Sequence, residues 1–162
     1  MSGSGLSDSR LATMREVLTR HVERGDVPGL VALVARRGEV HALAFGTMML
    51  NRGRYGGERI LSRPSVELMA TDQLSEQQRA ENLVFFGGVS GWGLGVNVVT
   101  RRNDLSAVPG RFGWNGGTGT SFYVDPAEEL IGILLTQREM TSPVPPAVFR
   151  DFWTCAYQAI ED

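Results

Sequence analysis

Apolar residues recur at Leu11, Met14, Val17, Leu18 and Val22, the three-and-four spacing of one helical stripe. Asp8 or Ser9 stands before the stripe as an N-cap, Arg20 and Arg24 lie where cations suit the helix dipole, and Gly25 is placed to end it. This predicts a helix over 9–24. After the breaker Asp26-Val27-Pro28-Gly29 the pattern changes. Leu30-Val31-Ala32-Leu33-Val34-Ala35 is a short continuous apolar run, as in a buried strand. Arg37-Gly38 reads as a tight turn and 39–46 as the hairpin partner. Thr47 to Gly53 looks like the last turns of a helix with Gly53 as its cap, yet the strand runs straight into it. A helix end without a helix beginning points to missing sequence.

Tyr55-Gly56-Gly57 reads as a turn and Ile60-Leu61 as a short extended piece. Ser62, with Pro64 in the first turn, predicts a helix whose apolar side is Val66, Leu68 and Met69. Ser75-x-x-Gln78 is a capping box for another short helix. Leu83 to Gly91, with Phe85-Phe86 among glycines, reads as loop. Trp92 to Thr100 predicts a strand with glycine at alternate positions, 110–124 a Gly-rich strand region, and Leu130 to Thr136 the most apolar strand. These three form an antiparallel meander. A final helix carries Val148, Phe149, Phe152, Trp153, Ala156 and Ile160 at helical spacing. The arrangement that buries the most apolar surface is an α/β (α+β) sandwich. Its five-stranded antiparallel sheet has the N- and C-terminal helices on one face and the small helices on the other. Residues 1–8 are expected to be a flexible leader and 9–162 a single domain.

The 162 residues carry 16 basic and 18 acidic side chains, a net charge of −2, and 42% are hydrophobic. That balance excludes a disordered chain and gives no single-sign surplus for nucleic acid or an anionic membrane. No apolar run approaches the roughly 18 residues of a membrane span. The polar start Met1-Ser2-Gly3-Ser4-Gly5 has no signal-peptide core, so the expected location is the cytoplasm. The single cysteine, Cys155, excludes an internal disulfide framework and a multi-cysteine zinc site. Every basic residue is arginine. The absence of lysine excludes a P-loop lysine, a Schiff base and a Ser-x-x-Lys nucleophile pair. Gly116-Gly117-Thr118-Gly119 lacks both phosphate-loop patterns, and His21 and His41 lack metal-ligand spacing, so neither cofactor nor metal is expected.

The element order, and five segments within it, resemble the α/β domain of serine β-lactamases, penicillin-binding proteins and related esterases, in the class C-like branch. The segments are GDVPGLVALVARRGEVHALAFG at 25–46, YGGERILSRPSVELM at 55–69, GWGLGV at 91–96, RFGWNGGTGTSFYVDP at 111–126 and ELIGILLTQ at 129–137. The resemblance covers nearly the whole chain beyond residue 8. It implies acyl transfer through a serine, on esters or β-lactams. It also implies a large, mostly helical region after the second strand, bearing the Ser-x-x-Lys nucleophile and a Tyr-x-Asn or Ser-x-Asn motif. Here Gly46-Thr47-Met48 joins Met49-Leu50-Asn51 directly, which places an apparent deletion junction near 46–50. Residues 49, 80, 95, 101 and 113, two before each asparagine, are Met, Ala, Gly, Arg and Gly, never Tyr or Ser. The third family motif, usually Lys-Thr-Gly, resembles Trp114-Asn115-Gly116, and the resemblance makes the Gly117 N–H one oxyanion donor. Its partner donor belongs to the missing nucleophile, which leaves half a site.

The hydroxyls of Thr118, Thr120 and Ser121 lie beside that motif; Thr118 and Ser121 are weak nucleophile candidates with no base or lysine evident. Ser90 in Gly88-Val89-Ser90-Gly91-Trp92 nearly spells a nucleophile elbow, but Trp92 replaces the second glycine and a strand follows instead of a helix. His21, on the polar side of its helix, and His41 are expected to be solvated or satisfied, and Cys155 to pack in the core. Phe85, Phe86, Trp92 and Trp114 belong to the side that meets the missing region. The expected function is a shortened β-lactamase-like serine hydrolase, catalytically inactive for want of its nucleophile. The alternative is a homo-oligomerising or partner-binding module using those four aromatics. A third reading is a different enzyme on the same scaffold through Ser121, Thr118 or His41.

Overall fold

The structure, a computed structural model, describes residues 5–36 and 44–161. The first helix, α1 (Asp8–Glu23), forms as its stripe predicts. It ends in a Schellman motif: Gly25 N–H donates to Val22 O at 3.0 Å and Asp26 N–H to His21 O at 2.9 Å, with Gly25 at φ +74°. Part of the expected leader is built in. Leu6 is buried and bridges Ile160, and Ser7 N–H donates to Ala159 O.

Strand β1 (Leu30–Arg36) follows. Its partner among the described residues is not the expected hairpin strand; most of 39–46 and the turn before it lie outside those residues. Ala44, Phe45 and Gly46, expected as strand, open helix α2 (Ala44–Leu50) instead. Gly46 is what lets α2 lie flat on the sheet, since a Cβ there would come within 3.2 Å of Ile131 and Phe122. The helix ends as expected. Gly53 N–H donates to Met48 O at 2.8 Å and Arg52 N–H to Met49 O at 3.1 Å. The minimal ladder β2 (Arg54–Tyr55) and β3 (Glu58–Arg59) comes next, then α3 (Arg63–Met69) and α4 (Glu76–Glu81). Both short helices have the expected caps, including a complete Ser75–Gln78 capping box. The segment read as loop contains one helical turn, α5 (Leu83–Phe86).

The remaining strands are β4 (Ser90–Trp92), β5 (Asn97–Val99), β6 (Phe112–Gly116), β7 (Thr120–Asp125) and β8 (Leu130–Thr136), and the chain closes with α6 (Ala147–Gln158). Among the described residues the main sheet is antiparallel with six strands in the order β1-β8-β7-β6-β5-β4, where five were expected in all. The expected strand over 92–100 is half of a hairpin, because the chain turns between Trp92 and Asn97, which face each other across β4 and β5. The Gly-rich region at 110–124 is likewise a hairpin, β6–β7, closed around Gly117-Thr118-Gly119. Strand β1 pairs along its whole length with β8, from Leu30 opposite Thr136 to Arg36 opposite Leu130.

Alternation along the central strands builds two cores. Leu130 and Leu134 face α1 and α6, where Leu18, Phe149, Phe152, Trp153 and Ala156 close the first core. Val124 and Ile131 face the other way, against Met48 and Met49 of α2, Val66 of α3, and Val98 and Phe112. The terminal helices thus share one face and the small helices the other, as expected. Burying Phe149 and Phe152 alone contributes on the order of 2–3 kcal/mol each before entropy is counted.

Candidate functional site

Strand β6 outruns its neighbour. It pairs with β5 only through Phe112 and Gly113, so Trp114, Asn115 and Gly116 extend past β5 with their far edge unladdered among the described residues. Trp92, at the end of β4, meets Trp114 edge-on with ring centroids 4.7 Å apart. Asp72 locks that corner: its Oδ1 accepts the Trp92 N–H and the Leu74 N–H, both at 3.0 Å, and Arg79 pairs with its other oxygen. Gly117 and Thr118 are exposed at the hairpin tip, and the Gly117 carbonyl accepts from Met140 N–H at 2.7 Å.

This end of the sheet floors a cleft of about 550 Å³. Its apolar wall includes Val84, Phe85, Val99, Trp114 and Val144, and its polar floor Ser90, Asn97, Arg111 and Asn115. Val84, Phe85 and Val144 are each more than half exposed at the rim, while Phe86 and Trp92 are half-buried.

Beneath the floor runs a directed hydrogen-bond chain. The Trp153 indole Nε1–H donates to Ser121 Oγ at 2.8 Å, and Ser121 Oγ–H donates to Asn115 Oδ1 at 2.6 Å. An indole only donates, so Ser121 accepts that bond and keeps its own proton for the Asn115 Oδ1 that faces it. Trp153 reaches Ser121 because β8 has glycine at 132; a Cβ there would lie 2.5 Å from the indole ring. Ser121 itself is fully buried, with its one proton committed.

Arg111 stacks on the same indole. Its guanidinium carbon lies 4.0 Å from the Trp153 ring centroid and 4.1 Å from that of Tyr123. Its Nη1 donates to Ser106 O at 2.6 Å, a carbonyl held by the Asp104 turn, whose Oδ1 accepts the N–H groups of Ser106 and Ala107. Its Nε and Nη2 are buried and have no hydrogen-bond partner. Leaving such a group unpaired costs on the order of 1–3 kcal/mol. Burial pulls the arginine's pKa down and pushes the phenols of Tyr123 and Tyr157 up. Tyr157 donates to buried Asp125 at 2.6 Å. Nothing in the sequence singles out Arg111 among 16 arginines, because its environment comes from two strands, a loop and a distant helix.

The other candidates fall elsewhere. Ser90 is buried, donates to Phe86 O and accepts from Asn97. His21 is not on a polar face. It is buried, with Nδ1 2.8 Å from Asp26 and Nε2 2.8 Å from Asp151, and it ties α1 to α6 on the helical side of the sheet. Its place in the stripe was readable, at three residues from Leu18 and seven from Met14. Cys155 is buried and free, and its thiol is pushed up by that burial. His41 lies outside the described residues. No group of three or more possible metal-ligating side chains occurs among the described residues, and no helix there is long and apolar enough to cross a membrane.

The family model described as Beta-lactamase matches residues 53–149, more than half of the chain, and spans the unladdered strand and most of the cleft. The chain belongs to the Beta-lactamase family. Protein Rv1367c of Mycobacterium tuberculosis is 36% identical over 102 residues, which is 59% of this chain and 25% of that protein. Among solved structures, the LovD6 mutant of simvastatin synthase from Aspergillus terreus superposes with a TM-score of 0.57. It is 20% identical and matches 70% of this chain and 31% of its own. A penicillin-binding protein homolog from Caulobacter crescentus gives 0.55 at 16% identity, matching 73% of this chain and 31% of its own. A family VIII carboxylesterase gives 0.53 at 21% identity, matching 74% and 30%. These likenesses show the β-lactamase-like fold. The chain spans about a quarter of its curated relative and about three tenths of these structures.

Proposed function

We propose that this chain is a β-lactamase-like scaffold that keeps the substrate-side strand of an acyl-transfer site and does not catalyse hydrolysis. The reading rests on one observation: no lysine occurs in the 162 residues, so no serine here has the lysine partner that the family's chemistry uses. The geometry supports it. Trp114-Asn115-Gly116 takes the place of the family's third motif on an unladdered strand end, with the Gly117 N–H as a lone oxyanion donor. Of the two weak nucleophile candidates, Ser121 is buried under the sheet with its hydroxyl donating to Asn115 Oδ1, and Thr118 stands on an exposed turn. His21 is held between two carboxylates on the helical face. Purified protein is expected to turn over p-nitrophenyl acetate no faster than an equal concentration of its Thr118→Ala variant or of serum albumin. Turnover well above those controls, abolished by a serine-directed inhibitor, would refute the proposal.

A second reading is favoured by the exposed apolar rim of Val84, Phe85 and Val144 beside Trp114. The surface around Phe85, Phe86, Trp92 and Trp114 serves association with a second copy or a partner chain. Light scattering at micromolar concentration is expected to give a dimer or larger species, and a clean monomer would set the homo-oligomer aside.

A further inference from the structure

We propose that the cleft binds an amphipathic monocarboxylate, with its carboxylate on the guanidinium of Arg111 and its apolar body along Phe85, Trp114 and Val144. Arg111 is 5% exposed and lines the cleft, yet only its Nη1 is hydrogen-bonded. The two unpartnered atoms are Nε and Nη2, which together form the side edge of the guanidinium. Their N–H bonds run parallel at the spacing of the two oxygens of one carboxylate, the fork geometry that arginine supplies and lysine cannot. The rings of Tyr123 and Trp153, at right angles to each other, both lie against the group. The unused donors lie on the in-plane edge, which suits a planar carboxylate.

The nearby carboxylates are otherwise engaged. Asp104 Oδ1 holds its own turn, and Asp125 accepts from Tyr157, Ala127 and Glu128. A buried cation with two idle donors normally finds an anion. The walls around it are apolar, and the volume of about 550 Å³ falls within the range of small-ligand sites. Neither idle nitrogen is open to solvent, so the carboxylate must part the side chains of the floor to reach them. The site does not depend on whether the chain hydrolyses esters.

The test follows the assigned ¹H–¹⁵N signal of Arg111 Nε while octanoate is titrated, with thermal melts alongside. Octanoate is expected to shift that signal and raise Tm. Octanamide keeps the chain without the charge, and acetate keeps the charge without the chain; each is expected to bind about tenfold or more weakly. R111K keeps the charge and loses the paired edge, and a similar loss is expected. Should R111K fail to fold, the three ligands on the unaltered protein decide. Octanoate that leaves the Arg111 signal unmoved, octanamide that binds as tightly as octanoate, or a folded R111K that binds it undiminished would overturn the proposal.

Discussion

Replacing Ser121 by alanine removes the middle of the chain that runs from Trp153 through Ser121 to Asn115. The two ends respond differently. Asn115 is half-exposed, and its oxygen can turn to water at little cost. The Trp153 N–H is buried and has lost its acceptor, so S121A should cost about 2 kcal/mol, the penalty of an unsatisfied buried donor. For a chain of this size that lowers Tm by about 4–8 °C. In a W153F background the donor is gone, and the remaining Ser121–Asn115 bond is worth only about 0.5–1 kcal/mol, so S121A becomes cheap. The cycle of four proteins, unfolded by urea, should therefore give a coupling of about 1–1.5 kcal/mol. Equal costs of S121A in the two backgrounds would refute the directed chain, as would an S121A protein within about 0.5 kcal/mol of the parent.

Gly132→Ala puts a methyl 2.5 Å from the Trp153 ring and should destabilise by about 2–3 kcal/mol, while loosening the indole from both Ser121 and Arg111; unchanged Trp fluorescence and stability would contradict this. Gly53→Ala, at φ +92° and with a Cβ 2.1 Å from Leu61 O, should cost more than about 2 kcal/mol in a urea melt, and a neutral substitution would show that the α2 cap is not needed. The hydrogen bond with His21, helped by Arg24, holds the Asp26 carboxyl below its ordinary value of 3.8, with desolvation opposing. The stability from this pair is complete above that value and is lost as pH falls through the lower folded-state value. Asp26→Asn should therefore flatten the acid limb of Tm between about pH 5 and 2, and superimposable limbs would count against the pair.

Helix α1, helix α6 and strand β8 were legible because their signals are local: a stripe, a left-handed cap, an unbroken apolar run. The capping box at Ser75 is of the same kind. The sheet was less legible where glycine carries two meanings. Alternate glycines in 91–95 read as one strand, but Gly93 is glycine because a Cβ would meet Met69 O at 2.0 Å where the chain turns back. That contact belongs to another element and leaves no trace in the local pattern. The pairing of β1 with β8 is similarly remote, with about 100 residues between partners. The family resemblance drew attention to Trp114 to Gly117, and in the structure Trp114 to Gly116 extend past β5. The roles of Ser121 and Arg111 were not, since each depends on Trp153 arriving from the terminal helix over Gly132.

The central claim is that the strand is present without a working nucleophile. It is tested most directly by incubating the purified protein with a fluorophosphonate probe and reading its intact mass. The account predicts no adduct at stoichiometric or moderately excess probe. A stoichiometric adduct mapping to a single hydroxyl would contradict it and identify the nucleophile that the chain uses in place of the family's own.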